Sequence, residues 1–323
     1  MVKLKDVAMK AGVNTSTASR ALKNNPEINL KTKQRIIKVA EDMGYFENHE
    51  KPVLSKSKVI GIIVPEVINV FSSIVYSIQA ELEKKGFCTM IGITNYNSEL
   101  EKTYFDQFAA LSVSGIFYAC WENSEYELSK YYDEYRIPIV QLINNSNMFD
   151  YVGIDYQWDA QLVIDHLKEK GYRKIGIIGE EHSAIRLNYL IQLARAEDML
   201  ISDKYIKISK ERFEAGGYNR MLEMLREKER PTAIVAAYDN MAIGAMKAIY
   251  DAGLRIPENI AVISFDDTAF SNYQFQPLST VNTPVFDWAE IAVQTMMDEI
   301  FSRITRVKKH IVLKSTLSVR DTT

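Results

Sequence analysis

The sequence has 323 residues, of which 47% are hydrophobic and 25% are charged, and its formal net charge is −3. These values are typical of a globular protein of two or three domains. The sequence contains neither an apolar run long enough to cross a bilayer nor the apolar core of a signal peptide, so we expect a cytoplasmic protein with no membrane partner.

The charge is distributed unevenly along the chain. Residues 1–58 contain ten lysines and two arginines against six acidic residues, a net charge of +6, so the rest of the chain carries −9. A basic end on an acidic body suits a protein that contacts phosphates through one end only. A run of charge is more often a solvated surface, so this pattern supports nucleic-acid binding without establishing it.

Cysteine and histidine give no sign of a metal site. The two cysteines, Cys88 and Cys120, fall within apolar runs, which predicts buried free thiols rather than a disulfide or metal ligands. The four histidines lack the spacing of metal ligands. We therefore predict no metal site and no cofactor.

The first 22 residues predict two short helices joined by a turn. Apolar residues from Leu4 to Ala11 recur at helical spacing, Gly12 ends this helix, and Asn14 is a suitable N-cap for the next. The predicted buried side of the second helix is Ala18, Ala21 and Leu22. Its outer side carries Thr15, Ser16, Thr17, Ser19 and Arg20. Hydroxyl groups and one arginine suit a helix in the DNA major groove, although a helical hairpin with a merely solvated polar side has the same spacing.

A third helix and a polar linker follow. The helix is predicted from Asn29 or Leu30 to Gly44, with Lys31 and Lys33 in its first turn, facing where phosphates could lie. Residues 46–58 form the linker, in which Pro52 would interrupt any helix.

From Val59 onward, short apolar runs alternate with amphipathic helices. The runs that we interpret as buried strands are 59–64, 88–93, 115–119, 138–142, 174–179, 232–237 and 260–264. This alternation predicts parallel sheets covered by helices on both faces. The strands are too many for one such sheet with a single switch point, so we predict two doubly wound lobes with a ligand cleft between them.

Several segments resemble one known family in the order in which they occur. Leu4–Ala8, Ala11–Val13 and Thr17–Leu22 closely resemble the headpiece of the lactose-repressor family of bacterial transcription regulators. The resemblance continues through Tyr151–Asp155, Gly171–Gly179, Asp239–Met246, Gly253–Asp267 and Pro277–Val281, and so covers nearly the whole chain. It implies an all-α helix-turn-helix headpiece and a two-lobed α/β core like that of the periplasmic sugar-binding proteins, built on two doubly wound parallel sheets.

This resemblance also implies a domain organisation. The headpiece is expected at 1–45, a hinge at 46–58 and an effector-binding core at 59–323. Within the core, the N-lobe is expected at about 59–156 and 284–305, and the C-lobe at about 157–283 and 306–323.

The resemblance implies a homodimeric repressor that binds double-stranded operator DNA and is controlled by a small effector. Thr15, Ser16 and Arg20 would contact base edges. Lys3, Thr17, Ser19 and Tyr45 would contact phosphates. Leu54 is the only plausible minor-groove wedge, in a hinge that lacks the family's usual Pro-Asn start. In this family, effector binding closes the lobes and changes the spacing of the two headpieces.

Six positions match the family's effector site. These are Asn69 and Phe71 from the first lobe and Arg186, Phe213, Tyr238 and Asp266 from the second. Tyr238 departs from the family, many members of which have Asn there, and we interpret Asp267 as a helix cap. A sugar is favoured over a purine as the effector, because aromatic rings can stack on a pyranose and the Asp–Arg pair can bind hydroxyl groups.

Two other functions fit the sequence less well. A stand-alone sugar-binding or transport protein would carry an export signal where this chain has a basic helix-turn-helix. An enzyme using the cleft would need a glycine-rich phosphate loop or a nucleophile paired with histidine, and the sequence has neither. We therefore predict no catalytic residues and no enzymatic activity.

Overall fold

The fold is described from a computed structural model of the chain. The described residues are 2–22, 25, 28–47, 57–119, 125–143, 148–199, 202–301 and 307–323. The chain divides into two units, which comprise residues 1–66, 79–150 and 293–308 in the first and residues 67–78, 151–292 and 309–323 in the second.

Three short helices near the N-terminus enclose a small apolar core. They are α1 (Leu4–Lys10), α2 (Thr15–Leu22) and α3 (Leu30–Asp42), followed by a 3-10 turn (Tyr45–Glu47). Gly12, between α1 and α2, has a φ of 63°, which explains why a glycine stands at this turn. The Asn29 side chain accepts a hydrogen bond from the Thr32 N–H at 2.8 Å and begins α3. Val7, Ala18 and Ile36 are fully buried between the helices.

The rest of the chain alternates between strands and helices. The strands are β1 (Val59–Val64), β2 (Cys88–Ile93), β3 (Gly115–Tyr118), β4 (Ile139–Gln141), β5 (Asp150–Ile154), β6 (Ile175–Glu180), β7 (Ile206–Ser209), β8 (Ala233–Ala236), β9 (Ala261–Asp266), β10 (Ser279–Asn282), β11 (His310–Leu313) and β12 (Thr316–Ser318). The helices are α4 (Asn69–Lys84), α5 (Ser98–Ala110), α6 (Glu125–Tyr135), α7 (Tyr156–Glu169), α8 (Ala184–Ala196), α9 (Phe213–Leu225), α10 (Asp239–Asp251), α11 (Ala269–Asn272) and α12 (Val285–Phe301).

The first sheet has six strands in the order β11-β5-β4-β3-β1-β2. Strand β1 pairs in parallel with β2 and β3, so that Ile62 lies opposite Ile91 and Phe117. Strand β1 is buried along most of its length. Strand β2 lies at the edge and is mostly exposed. The prediction of a buried strand at 88–93 with a buried Cys88 thiol is therefore wrong, because Cys88 is exposed on an edge strand. Cys120 lies outside the described residues.

The second sheet also has six strands, in the order β12-β10-β9-β8-β6-β7. Its pairs are parallel except that β12 runs antiparallel to β10. The apolar side chains of its central strands, among them Ile177, Val235 and Ile263, are fully buried. Together with the helical N-terminal segment, these two mostly parallel sheets confirm the predicted fold class.

The parallel strands of the second sheet bring distant residues to one edge. Strand β6 ends at Glu180, β8 ends at Ala236, β9 ends at Asp266 and β10 ends at Asn282. Because the carboxyl ends of parallel strands lie at the same edge of a sheet, the side chains that follow these strands converge there.

Candidate functional site

Helix α2 presents the residues that the sequence assigns to base contacts. Thr15, Ser16 and Arg20 are exposed, whereas Thr17 and Ser19 are half-buried. Asn14 accepts hydrogen bonds at 2.7 Å from the backbone N–H of Thr17 and from the Ser16 hydroxyl. Asn14 thus caps the helix, as predicted, and also orients one of the outward hydroxyl groups. The outer side of α2 carries small polar groups and one cation, which suits a major groove.

The other predicted DNA contacts surround this helix within the same three-helix segment. Lys3 is exposed at the start of α1, where its backbone N–H donates to the Asp6 carboxylate at 3.0 Å. Tyr45 is half-buried against the headpiece core. Leu54, the predicted minor-groove wedge, lies outside the described residues.

The prediction for Lys33 is wrong in one respect. The side chain was expected to face phosphates, but Lys33 is only 8% exposed and burial lowers the pKa of its ammonium group. Lys31, in the same first turn of α3, is exposed. Helical periodicity explains the difference, since positions 33, 36, 37 and 40 share one side of α3.

An ion pair forms the centre of the candidate effector site. The Arg186 Nη2 atom on α8 lies 2.9 Å from the Asp266 Oδ1 atom at the end of β9, and Arg186 Nη1 donates to the Ala237 carbonyl at 2.9 Å. The guanidinium carbon lies 4.8 Å from the centre of the Phe265 ring. Burial opposes ionisation, but the Asp266 carboxylate raises the pKa of Arg186, so this side chain stays cationic.

Asp267, adjacent to this pair, has a different role from the one predicted. The N-cap residue of α11 is Thr268, and the Asp267 carboxylate instead accepts from Arg320 and Ser318 at 2.7 Å and from Asn282 at 2.8 Å. Burial alone would raise the pKa of Asp267, but these hydrogen bonds lower it below the ordinary value of an aspartate. The interpretation of Asp267 as a helix cap is therefore wrong, because the Asp267 carboxylate forms an ion pair with Arg320.

A buried aspartate behind β9 fixes the chain around the pair. Asp239 accepts hydrogen bonds from Ser264 (2.6 Å), from Thr268 (2.6 Å from the N–H and 2.7 Å from the hydroxyl) and from Thr280 (2.8 Å). Burial, with a contribution from Asp266, raises the pKa of Asp239 to about 6. Asp239 thus joins β9, β10 and the start of α10 into one polar cluster.

Phe213 and Tyr238, two of the predicted effector residues, contact each other. The Phe213 backbone N–H donates to the Tyr238 hydroxyl at 3.1 Å, and the two ring centres lie 6.1 Å apart. Tyr238 is buried, whereas Phe213 is half-buried at the start of α9. The hydroxyl group of Tyr238 therefore anchors the first residue of α9.

A cavity of about 870 Å³ opens beside Asp266 within the second unit. Its walls come from the start of α4, from residues 266–269 and 282–287, and from Lys314 and Thr316. Asp266 is the predicted effector residue that lines it. Asn69 and Phe71, both half-buried at the start of α4, flank the lining residues Val70 and Ser72 in sequence.

A residue that no sequence motif singles out lies close to the ion pair. Asp159 lies on α7, is fully buried and interacts electrostatically with Arg186 and Asp266. Burial raises the pKa of Asp159 to about 6. Its position in a stripe with Val163 and Leu167 was a signal that this carboxylate faces the core.

Two known families match separate segments of the chain. Residues 3–48 match the family described as "Bacterial regulatory proteins, lacI family", and residues 164–323 match "Periplasmic binding protein-like domain". Within the described part of the chain, no helical segment has both the length and the hydropathy that crossing a bilayer demands.

Two similar proteins are described as transcriptional repressors. The HTH-type transcriptional repressor CytR of Escherichia coli K12 is 27% identical, with 92% of this chain and 89% of CytR covered. The probable HTH-type transcriptional repressor ExuR of Bacillus subtilis 168 is 28% identical, with 99% of this chain and 98% of ExuR covered.

Solved structures show the same fold over the whole chain. The lac repressor dimer bound to operator and an anti-inducer superposes with a TM-score of 0.74 at 23% identity, with 99% of this chain and 98% of that chain covered. A complex of the transcriptional regulator CelR with cellobiose gives a TM-score of 0.73 at 21% identity, with both chains fully covered. Residues 3–48 thus belong to the lacI family of bacterial regulatory proteins and residues 164–323 to the periplasmic-binding-protein-like domains, and the chain is similar over 92–99% of its length to DNA-binding transcriptional repressors, which are not enzymes.

Proposed function

We propose that this repressor acts as a homodimer in the cytoplasm and that a small polar effector, most favourably a sugar, controls its affinity for operator DNA. The observation that carries the effector proposal is the buried Arg186–Asp266 pair at 2.9 Å, with Asp266 lining a cavity of about 870 Å³. A cavity of this volume, with a few polar groups at its wall, suits a mono- or disaccharide.

Contacts to DNA divide into two kinds. Thr15, Ser16 and Arg20, exposed on α2, contact base edges. Phosphates are bound by Lys3, Thr17, Ser19 and Tyr45, with Leu54 of the hinge entering the minor groove. The exposure of the first three side chains and their position on one short helix support this division.

The sugar is favoured for chemical reasons. Asp266 offers carboxylate oxygens to hydroxyl groups, and Phe213 and Phe71 are half-buried aromatic rings near the start of their helices. Neighbouring structures are described as complexes with cellobiose and with D-xylulofuranose, both of which are sugars. Asn69, Arg186 and Tyr238 complete the proposed site.

The homodimer is supported by an exposed aromatic patch. Phe270, Tyr273 and Phe275, in and just after α11, are 68%, 83% and 105% exposed. Large aromatic side chains exposed together favour burial against another protein. A second copy of this chain is the proposed occupant, because two headpieces are needed to bind two half-sites, and a fold neighbour is described as a dimer on its operator.

Control by the effector is proposed as a coupling free energy between two sites. An effector that lowers DNA affinity by some factor must itself bind the DNA complex more weakly by the same factor. This reciprocity gives the proposal two independent readouts, since DNA affinity and effector affinity have to change together.

A screen followed by a release assay tests the proposal. Mono- and disaccharides are compared with purines for their effect on the melting temperature of the full chain, and each hit is then added to the protein on labelled promoter DNA. We expect a sugar to raise the melting temperature and to change DNA affinity. Stabilisation by purines alone would reject the sugar, and a hit that never alters DNA affinity would reject the control mechanism.

A further inference from the structure

Buried polar atoms without partners are concentrated around Arg186. In the described ranges, eight buried side-chain nitrogen or oxygen atoms have no hydrogen-bond partner. Five of the eight belong to four residues, namely Asp159 with both its oxygens, Arg186, Thr283 and Ser315, but the Ser315 hydroxyl acts on Asp159 as a hydrogen-bond donor, so one Asp159 oxygen, Arg186 Nε and Thr283 Oγ1 are left without a partner. Because folded proteins leave few such atoms unpaired, these atoms point to a partner outside the protein, either water or a bound molecule.

One of these four residues, Thr283, lines the cavity described above, and the other three neighbour residues that line it. Arg186 pairs with Asp266, which lines the cavity together with Thr283. Ser315 lies between two further lining residues, Lys314 and Thr316. The Ser315 hydroxyl and the Arg186 guanidinium both lower the pKa of Asp159, so this carboxylate lies next to both groups.

The charges at this site do not favour an anion. Three carboxylates (Asp266, Asp267 and Asp287) and one ammonium group (Lys314) line the cavity. Behind the lining, Arg186 and Arg320 pair with Asp266 and Asp267. Two more buried carboxylates, Asp159 and Asp239, lie close to Asp266. Five carboxylates thus face three cations.

Arg186 is already engaged by the protein itself. One terminal nitrogen donates to the Ala237 carbonyl and the other contacts Asp266, both at 2.9 Å. Its guanidinium is also stacked near the Phe265 ring. An arginine in a ligand site often signals a carboxylate or phosphate on the ligand, but this one is neutralised before any ligand arrives.

We infer that the effector carries no carboxylate or phosphate and is held through hydroxyl groups, and that Asp159 sets this charge selectivity from behind Arg186. The inference rests on the proposed function, because it concerns the effector of the same site. Hydroxyl groups can donate to the carboxylates and also accept from Arg186 Nε, so a polyhydroxyl compound satisfies both kinds of unpaired atom. An added anion would meet a net negative charge, which repels it.

Matched ligand pairs test the charge class. Neutral mono- and disaccharides, glucose and galactose included, are compared by calorimetry and thermal shift with their uronates and 6-phosphates, on the full chain at pH 8. We expect neutral compounds to bind and their anionic counterparts to bind at least about tenfold more weakly. Tighter binding of an anionic member, or a wild-type protein that binds none of the neutral compounds, would overturn the inference.

A variant pair tests the part assigned to Asp159. Asp159→Asn should reduce the neutral-to-anionic discrimination by on the order of tenfold, since it removes one charge near the ligand. Asp165→Asn makes the same charge change on the same helix at an exposed position and should leave discrimination as in the wild type. If a folded Asp159→Asn protein discriminates between neutral and anionic ligands as well as the wild type does, Asp159 does not set the charge selectivity. If that variant does not fold, the wild-type ligand pairs still decide the charge class.

Operator binding, measured in the same samples, separates the two proposals. Release of DNA by a uronate or a sugar phosphate would support control by an effector, but it would contradict the inference that the effector carries no carboxylate or phosphate. Binding of a neutral sugar without any change in DNA affinity would support the inferred lack of charge on the ligand, but it would contradict the proposal that the ligand controls DNA binding.

Discussion

The pH dependence of stability offers a direct test of the buried Asp159 carboxylate. Its pKa is raised from 3.8 to about 6, mainly by burial and also by Asp266 and Asp155, while Arg186 and Ser315 act in the opposite direction. The folded state therefore binds this proton more tightly than the unfolded state. The resulting destabilisation is fully present above about pH 6 and disappears as the pH falls towards 4.

The magnitude follows from the difference between the two pKa values. A difference of about two pH units, at about 1.4 kcal/mol each, corresponds to a penalty of about 3 kcal/mol at pH 8. Asp159→Asn removes this penalty. An asparagine at the same site has its own cost as a buried amide, but that cost does not depend on pH. The change in the stability difference between pH 8 and pH 4.5 therefore isolates the ionisation of Asp159.

The assay is urea unfolding of the wild type and Asp159→Asn at several pH values between 4.5 and 8, followed by circular dichroism. Relative to the wild type, the variant should gain about 2–3 kcal/mol on going from pH 4.5 to pH 8. Asp165→Asn, exposed on the same helix, should show little of this dependence. A difference between wild type and Asp159→Asn that stays constant with pH, or grows towards low pH, would refute the assignment of a buried, poorly paired carboxylate.

Three further substitutions test the remaining parts of the molecule. Arg20→Ala should cost about 1–3 kcal/mol on operator DNA at fixed salt and little on random DNA; equal loss on both in gel-shift titrations would argue against base contact. Asp266→Asn should weaken binding of the sugar found in the screen by at least about tenfold in calorimetry, with operator affinity retained in its absence; loss of both would point to a structural role. Phe275→Ser should weaken self-association by about tenfold in analytical ultracentrifugation, and an unchanged sedimentation profile would place the dimer contact elsewhere.

The order of strands and helices could be predicted because burial leaves a local pattern. The apolar runs at 59–64 and 174–179 became β1 and β6, which lie within their sheets and are buried. The run at 88–93 is also mostly apolar but became the edge strand β2. Strand order is set by pairing between distant segments, so an apolar run alone cannot distinguish a central strand from an edge strand.

The partners of side chains were predicted less well than their location. The family resemblance placed Asp266 and Arg186 together in the effector site, but no local pattern placed Asp267 beside Arg320, which lies 53 positions away. The cap interpretation of Asp267 used only its neighbours in sequence. Asp159 was missed for the same reason, since its significance comes from Arg186 and Ser315, which no local pattern places beside α7.

Backbone strain connects the predicted effector residues in a way that the sequence does not show. Among the non-glycine residues with positive φ are Asn69 (51°), Phe213 (57°) and Asp266 (100°), three of the six positions assigned to the effector. Asparagine tolerates this conformation, but for a bulky ring such as Phe213, and at the φ of Asp266, it costs on the order of 1–3 kcal/mol. The same conformation occurs at six other described non-glycine residues, among them Tyr96 and Arg136, so positive φ alone does not mark a ligand site. At Asp266 it coincides with the ion pair to Arg186, and the substitutions proposed above test whether that coincidence reflects ligand binding.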